Sequence, residues 1–266
     1  MNAGEALRGR DALESLLRAH DLASHARRLA YEVARYGLRV LPGTGGERSR
    51  LGGPPLLPAG ESWPSTGTGR ALAFLAGVDL SELPDFEERD SWPDDGWLLF
   101  FADVELDELH GLYLEEADNV EGERARVLYA SPDVEVVAVE SPGPGLRSRA
   151  VRFVPTLTLP ERRDPHLPMQ RLELDGAELR RYDSAVAALL AADPRNAFSG
   201  RDWPSQHWIG GHAGEYEPDR TVLLNFSQDR DLDFEFMDGG AIRFDVPTDD
   251  LVRRDFARVT VTGDPG

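Results

Sequence analysis

Eight short segments constrain this chain more than anything else in it. "ALAFLAGV" (Ala71 to Val78), "WLLFFADV" (Trp97 to Val104), "ARVLYA" (Ala125 to Ala130) and "VEVVAV" (Val134 to Val139) are rich in aliphatic and aromatic residues and bounded by Pro, Asp and Gly. Most spacers between them are too short for crossover helices, so adjacent strands should pair antiparallel. The second half repeats the pattern with "TVLLNF", "DLDFEF", "AIRFDV" and "ARVTVT". In "DLDFEF", Leu232, Phe234 and Phe236 alternate with Asp231, Asp233 and Glu235, which predicts a half-buried strand with one acidic face. "AVRFVPTLTLP" reads as an edge strand because Pro155 lacks an N–H for a ladder.

Helical spacing is confined to two places. From Asp11 to about Gly37 the apolar positions Leu13, Leu16, Leu17, Leu22, Ala26, Leu29, Val33 and Tyr36 predict two helices or one bent helix. Asp11 with Glu14 suggests a capping box, Asp21 a second cap, and Gly37 a left-handed C-terminal stop. "DSAVAALLAADP" (Asp183 to Pro194) predicts one short internal helix. Between Pro42 and Arg70, Gly, Pro, Ser and Thr predict a long loop, and "VESPGPGLRSR" (Val139 to Arg149) reads as a link.

The two halves echo one another. Leu51-Gly52-Gly53 leads to "FLAGVDLSEL" and "DDGWLLFFADVELDEL"; Ile209-Gly210-Gly211 leads to "VLLNFSQDRDL" and "MDGGAIRFDVPTDDL". The expected class is therefore α+β, largely antiparallel, with internal duplication and an N-terminal helical segment. The expected division is 1–40 for that segment and 41–266 for a duplicated domain, with halves at roughly 41–140 and 150–266.

The series "RLGGPPLLP", Trp63-Pro64, "ALAFLAGVDLSELP", "DGWLLFFADV", "RVLYA", "HWIGG", "VLLNFSQD" and "DGGAIRFDVPTDDLVRRDFARV" resembles the YwqG-like family of uncharacterised bacterial proteins. The resemblance runs from about Tyr31 to the C-terminus. It implies the same duplicated antiparallel α+β fold and brings no activity or catalytic residues. Trp208 stands where the family commonly has Gln after the histidine. Ser227-Gln228-Asp229 and Met237-Asp238-Gly239 stand where it tends to have Asp-Ser-Asp and Trp-Gly-Asp.

Composition removes several chemistries. All 29 basic residues are Arg, so Schiff-base lysines and a P-loop lysine are impossible. Cysteine is absent, which excludes disulfides, thiol nucleophiles and cysteine-held metals. The 48 acidic residues give a net charge of -19, which repels nucleic acid and anionic lipid and suits a basic protein partner or a cationic ligand. No signal-peptide core or membrane-length apolar run is visible, so the expected compartment is the cytoplasm.

Candidate sites are few. His207 and His212, with Glu215 and Glu217, lack the i, i+4 helical spacing of paired metal ligands. "DRDLDFEFMDGG" fails the calcium-loop pattern at its Gly and Glu positions. No G-x-S-x-G elbow or phosphate cradle is present. No cofactor or metal is expected. A ligand groove remains, built on the repeated Gly-Gly: Arg50, Gly52, Gly53, Trp63, His207, Trp208, Gly210, Gly211 and Asp238. Two functions follow. One is a non-enzymatic binding or interaction module with an acidic surface, of the immunity or antitoxin type. The other is a small-molecule hydrolase or ligand-binding enzyme using His207 and a carboxylate between the repeats.

Overall fold

Among the described residues every strand pair is antiparallel. The computed structural model describes residues 8–104, 124–143, 145–160, 174–192, 207–212, 219–236 and 239–264. Ten strands make one nearly barrel-shaped sheet in the order β12-β11-β10-β9-β1-β8-β2-β4-β5-β6. These are β1 (Arg35–Pro42), β2 (Arg50–Leu51), β4 (Ala73–Asp79), β5 (Trp97–Ala102), β6 (Ala125–Ala130), β8 (Arg149–Thr158), β9 (Trp208–Gly210), β10 (Arg220–Ser227), β11 (Ala241–Pro247) and β12 (Thr260–Asp264). A second sheet pairs β3 (Leu56–Pro58) with β7 (Val136–Ala138).

The long sheet curls because its two arms share one core. Phe100 of β5 and Phe244 of β11 lie far apart in the strand order, yet their rings meet edge to face at 5.3 Å. Val78, Leu98 and Val127 from one arm and Leu224, Phe226, Ile242 and Val246 from the other join the same buried cluster. On the outer face of β4 and β5, Phe74, Leu99 and Phe101 pack against Leu57 and Trp63.

Among the described residues there are four helices: α1 (Arg10–Ala19), α2 (Ala26–Arg28, continuing as a π-turn over Leu29–Val33), α3 (Gly176–Ala192) and α4 (Thr248–Arg253). The apolar stripe of α1 and α2 is buried as its spacing predicts, against Tyr182, Ala185 and Leu189 of α3 and Leu157 of β8.

Several expectations are corrected. The N-terminal helices stop at Val33, and Gly37 lies inside β1, where pairing to β8 on one side and β9 on the other outweighs helical spacing. Asp11 is inside α1, whose N-cap is Gly9, and Asp21 adopts a left-handed backbone. The internal helix is not short: it begins at Gly176, where Asp175 Oδ1 accepts the N–H groups of Ala177 and Glu178 and Glu178 returns a bond to the Asp175 N–H. "DLDFEF" is a 3₁₀ turn followed by left-handed Asp233, although Leu232, Phe234 and Phe236 are buried. The expected loop from Pro42 to Arg70 contains β2 and β3, and the link ending at Arg149 is anchored by buried Leu146.

Pro155 sits near the centre of the sheet, in β8, not at an edge. The Val40 N–H is bonded to the His207 carbonyl, so Val40↔Phe153 and, two residues on, Leu38↔Pro155 are non-hydrogen-bonded pairs. The nitrogens of Val151, Phe153 and Pro155 all face the β2 side, where Val151 donates to Ser49. Strand β2 covers only Arg149 and Ala150, so proline removes no ladder bond.

Candidate functional site

His207 immediately precedes β9, in the arm that contains β10. Its ring is 2% exposed and packs on Phe226 at 4.9 Å. The Ser227 N–H donates to Nδ1 at 3.2 Å, which places the ring proton on Nε2, and Nε2–H donates to Asp229 Oδ2 at 3.0 Å. Arg149 of β8 forms an ion pair with that same carboxylate, and Asp229 Oδ1 accepts the Asp231 N–H. Burial of the ring lowers the His207 pKa, against the opposing pull of Asp229. Asp229 is itself buried, which would raise its pKa, but the bonds from His207 and Arg149 outweigh this and hold it lowered. A neutral imidazole and an ionised carboxylate are thus locked together.

Both ring nitrogens of His207 are committed to the protein, and so are both Asp229 oxygens. A general base needs a free lone pair within reach of a substrate proton. Here the arrangement provides a rigid buried cluster tying β9, β10 and β8, and no reactive group.

The two Gly-Gly segments do a different job. Gly52 and Gly53 have φ of 63 and 74, and Gly210 and Gly211 have 64 and 69, all in the left-handed region that disfavours side chains. A Cβ on Gly52 would collide with the Arg147 carbonyl oxygen, and one on Gly53 would meet Ser148 Cβ at 2.6 Å. A Cβ on Gly211 would meet Thr158 Oγ1 at 2.8 Å and Gly37 Cα at 3.0 Å. The backbone that each pair admits is the chain's own. The segments abut opposite ends of β8, ten residues apart, or about 33 Å at ~3.3 Å per residue. They do not converge on one cleft.

The other sequence candidates are dispersed as well. Trp63 packs edge to face on Phe101 and donates Nε1–H to the Leu72 carbonyl at 2.8 Å. Trp208 carries the Arg39 guanidinium over its ring at 4.6 Å. Arg50 pairs with Gly77 and Ala150 within the sheet. His212 donates Nε2–H to the Val33 carbonyl at 2.7 Å, whereas His207 bonds Ser227 and Asp229. Asp238, Glu215 and Glu217 lie outside the described residues. Among the described residues no group of three or more metal-ligating side chains is gathered, and no helix is long and apolar enough to cross a membrane.

Residues that sequence reasoning passed over line a cavity of about 180 Å³: Arg35, Glu88, Ser91, Trp92, Thr221 and Thr248. Glu88 and Trp92 come from the segment joining β4 to β5, Arg35 from the start of β1, Thr221 from β10 and Thr248 from α4. The cavity thus lies where one arm's connection meets the other arm. The hydroxyls of Thr221 and Thr248 bond each other at 3.0 Å. Burial raises the Glu88 pKa, opposed by the Arg35 charge. Trp92 is 4% exposed, and its buried Nε1 has no hydrogen-bond partner among the described residues. Four separate segments supply these side chains, so no motif spacing signals them.

The family model for a domain of unknown function (DUF1963) matches residues 49–264. No curated protein matches the chain.

Proposed function

The chain belongs to the DUF1963 family, and we propose that it works as a non-enzymatic binding protein whose acidic surface takes a basic protein partner. The observation that supports this most is the place His207 holds. Its carbonyl accepts the Val40 N–H while its side chain accepts the Ser227 N–H. In the other arm Ser49 occupies the matching slot: its carbonyl accepts the Val151 N–H and its Oγ accepts the Asp79 N–H at 2.9 Å. A serine and a histidine fill one structural role, so imidazole chemistry is not what the position is for. The surplus of acid, 48 residues against 29 basic, then supplies the recognition.

We carry two finer readings with this one. The first is internal duplication, with β8-β2-β4-β5-β6 and β1-β9-β10-β11-β12 as copies around the central β1–β8 pair. Supporting it are bulges at the same place in β4 (between Phe74 and Ala76) and β10 (between Val222 and Leu224). Asp79 and Asp229 also each cap a 3₁₀ turn after those strands. The second is kinship with the YwqG-like proteins, on the ordered motif series that runs through both arms.

The test is association measured on the purified full chain. A basic protein retained at low ionic strength and released at high ionic strength is the expected result, because screening weakens such contacts beyond roughly 10 Å at 0.1 M salt. Retention of no basic protein at low salt overturns the reading.

A further inference from the structure

We infer that the free edge of β7 takes an extended segment of the basic partner as an added strand. The inference rests on the basic-partner reading and gives that partner a place to dock.

Register identifies the groups that an added strand would meet. In the β3–β7 ladder the Val139 N–H donates to the Pro55 carbonyl and the Ala59 N–H to the Glu135 carbonyl, so Glu135, Val137 and Val139 turn their backbone groups toward β3. The N–H and C=O groups of Val136 and Ala138 therefore point away from it, and they have no hydrogen-bond partner among the described residues. Edges of this kind accept strands unless something guards them. The opposite edge of the same small sheet is guarded: Pro58 of β3 faces outward without an N–H, and its carbonyl is taken by the Glu61 N–H.

Side chains along β7 fit the same occupant. Val134 is 43% exposed and Val137 40%, although such β-branched residues favour strands with packed neighbours. Charge then selects the sign of the partner. Asp133, Glu135 and Glu140 are exposed and enter no ion pair among the described residues, and no basic residue stands between Ser131 and Leu146. The next two, Arg147 and Arg149, are held by Asp233 and Asp229. The outer strands of the large sheet differ in this respect, since Arg126 lies within β6 and Arg258 shortly precedes β12. A segment that alternates Lys or Arg with apolar residues finds ladder groups, apolar surface and countercharge together at β7.

Fluorescence anisotropy with a labelled octapeptide of alternating lysine and valine tests the assignment on the full chain at low salt. Two control peptides accompany it: one with glutamate in place of lysine, and one with the same charge but alternate backbone nitrogens methylated, which cannot complete a ladder. The lysine peptide should bind with a dissociation constant below about 1 mM, and each control about tenfold more weakly or worse. A138P removes an outward N–H and no bond to β3, so it should keep the wild-type circular dichroism spectrum and lose about tenfold in affinity. If A138P does not fold, the triple variant D133N/E135Q/E140Q should weaken the lysine peptide and flatten its salt dependence. No binding up to about 1 mM, equal binding of either control, or unchanged binding by a folded variant would overturn the inference. A concentration-dependent dimer that A138P abolishes would also overturn it, by giving the edge to a second copy of the chain. Basic protein retained equally by wild type and folded A138P would move the docking place elsewhere and leave the basic-partner reading standing, whereas that reading falls only if the wild type retains none.

Discussion

A histidine beside an aspartate invites a catalytic interpretation, and the surroundings of His207 decide against it. The sequence reading set His207 beside a nearby carboxylate, and Asp229 stands within hydrogen-bond reach at 3.0 Å. It could not show that Ser227 would occupy the other ring nitrogen, because that bond joins residues twenty apart across two strands. Removing Asp229 strands Arg149 and His207 in a poorly solvated place, so D229A should lose about 3 kcal/mol or more of unfolding free energy by urea titration. Histidine protonation adds a pH dependence with a definite sign. His207 and His212 both titrate below the ordinary ~6.5 of the unfolded chain, His212 at about 4, chiefly because burial disfavours the charged ring. Between those values the unfolded state binds more protons, so stability rises from about pH 4 to about pH 6.5. Each histidine contributes at most about 1.4 kcal/mol per pH unit. H212Q should flatten that slope in denaturation curves taken across the window; an unchanged slope contradicts the assignment.

At the scale of elements, strands were easier to read than the turns between them. Ala125–Ala130 forms β6 as its composition predicts, and β5 and β10 lie within or around their predicted segments. Strand β1 was hidden because Val33 and Tyr36 continue the helical spacing of α2, while Leu38 and Val40 owe their burial to a core made of distant residues. "DLDFEF" misled for the converse reason: alternating burial arises equally from a tight turn that points three apolar side chains inward. The glycines follow from these connections. G52A places a methyl group against the Arg147 carbonyl at a left-handed φ, and should cost more than about 2 kcal/mol in a melting experiment. A near-neutral G52A would mean that the β2–β8 connection is looser than described.

For the molecule as a whole, one core spans both arms, which predicts a single unfolding event. Circular dichroism and tryptophan fluorescence should report coincident transitions. F244A, which empties the space against Phe100, should lower stability by about 3–5 kcal/mol without splitting them. Two separated transitions would mean that the arms are independent. The strand segments and the Gly-Gly echo were legible along the chain, but the cavity beside Glu88 and Trp92 was not, since its walls are assembled only when the β4–β5 connection reaches β1, β10 and α4. Function, on this account, resides in the folded surface and its charge. The most direct measurement is the dissociation constant of the retained basic protein across a salt series, for wild type and for H207Q, both held below their melting temperatures. The account predicts a steep loss of affinity with salt and values for the two proteins within about twofold of each other. Salt-independent affinity, or loss of binding in a folded H207Q, would contradict it.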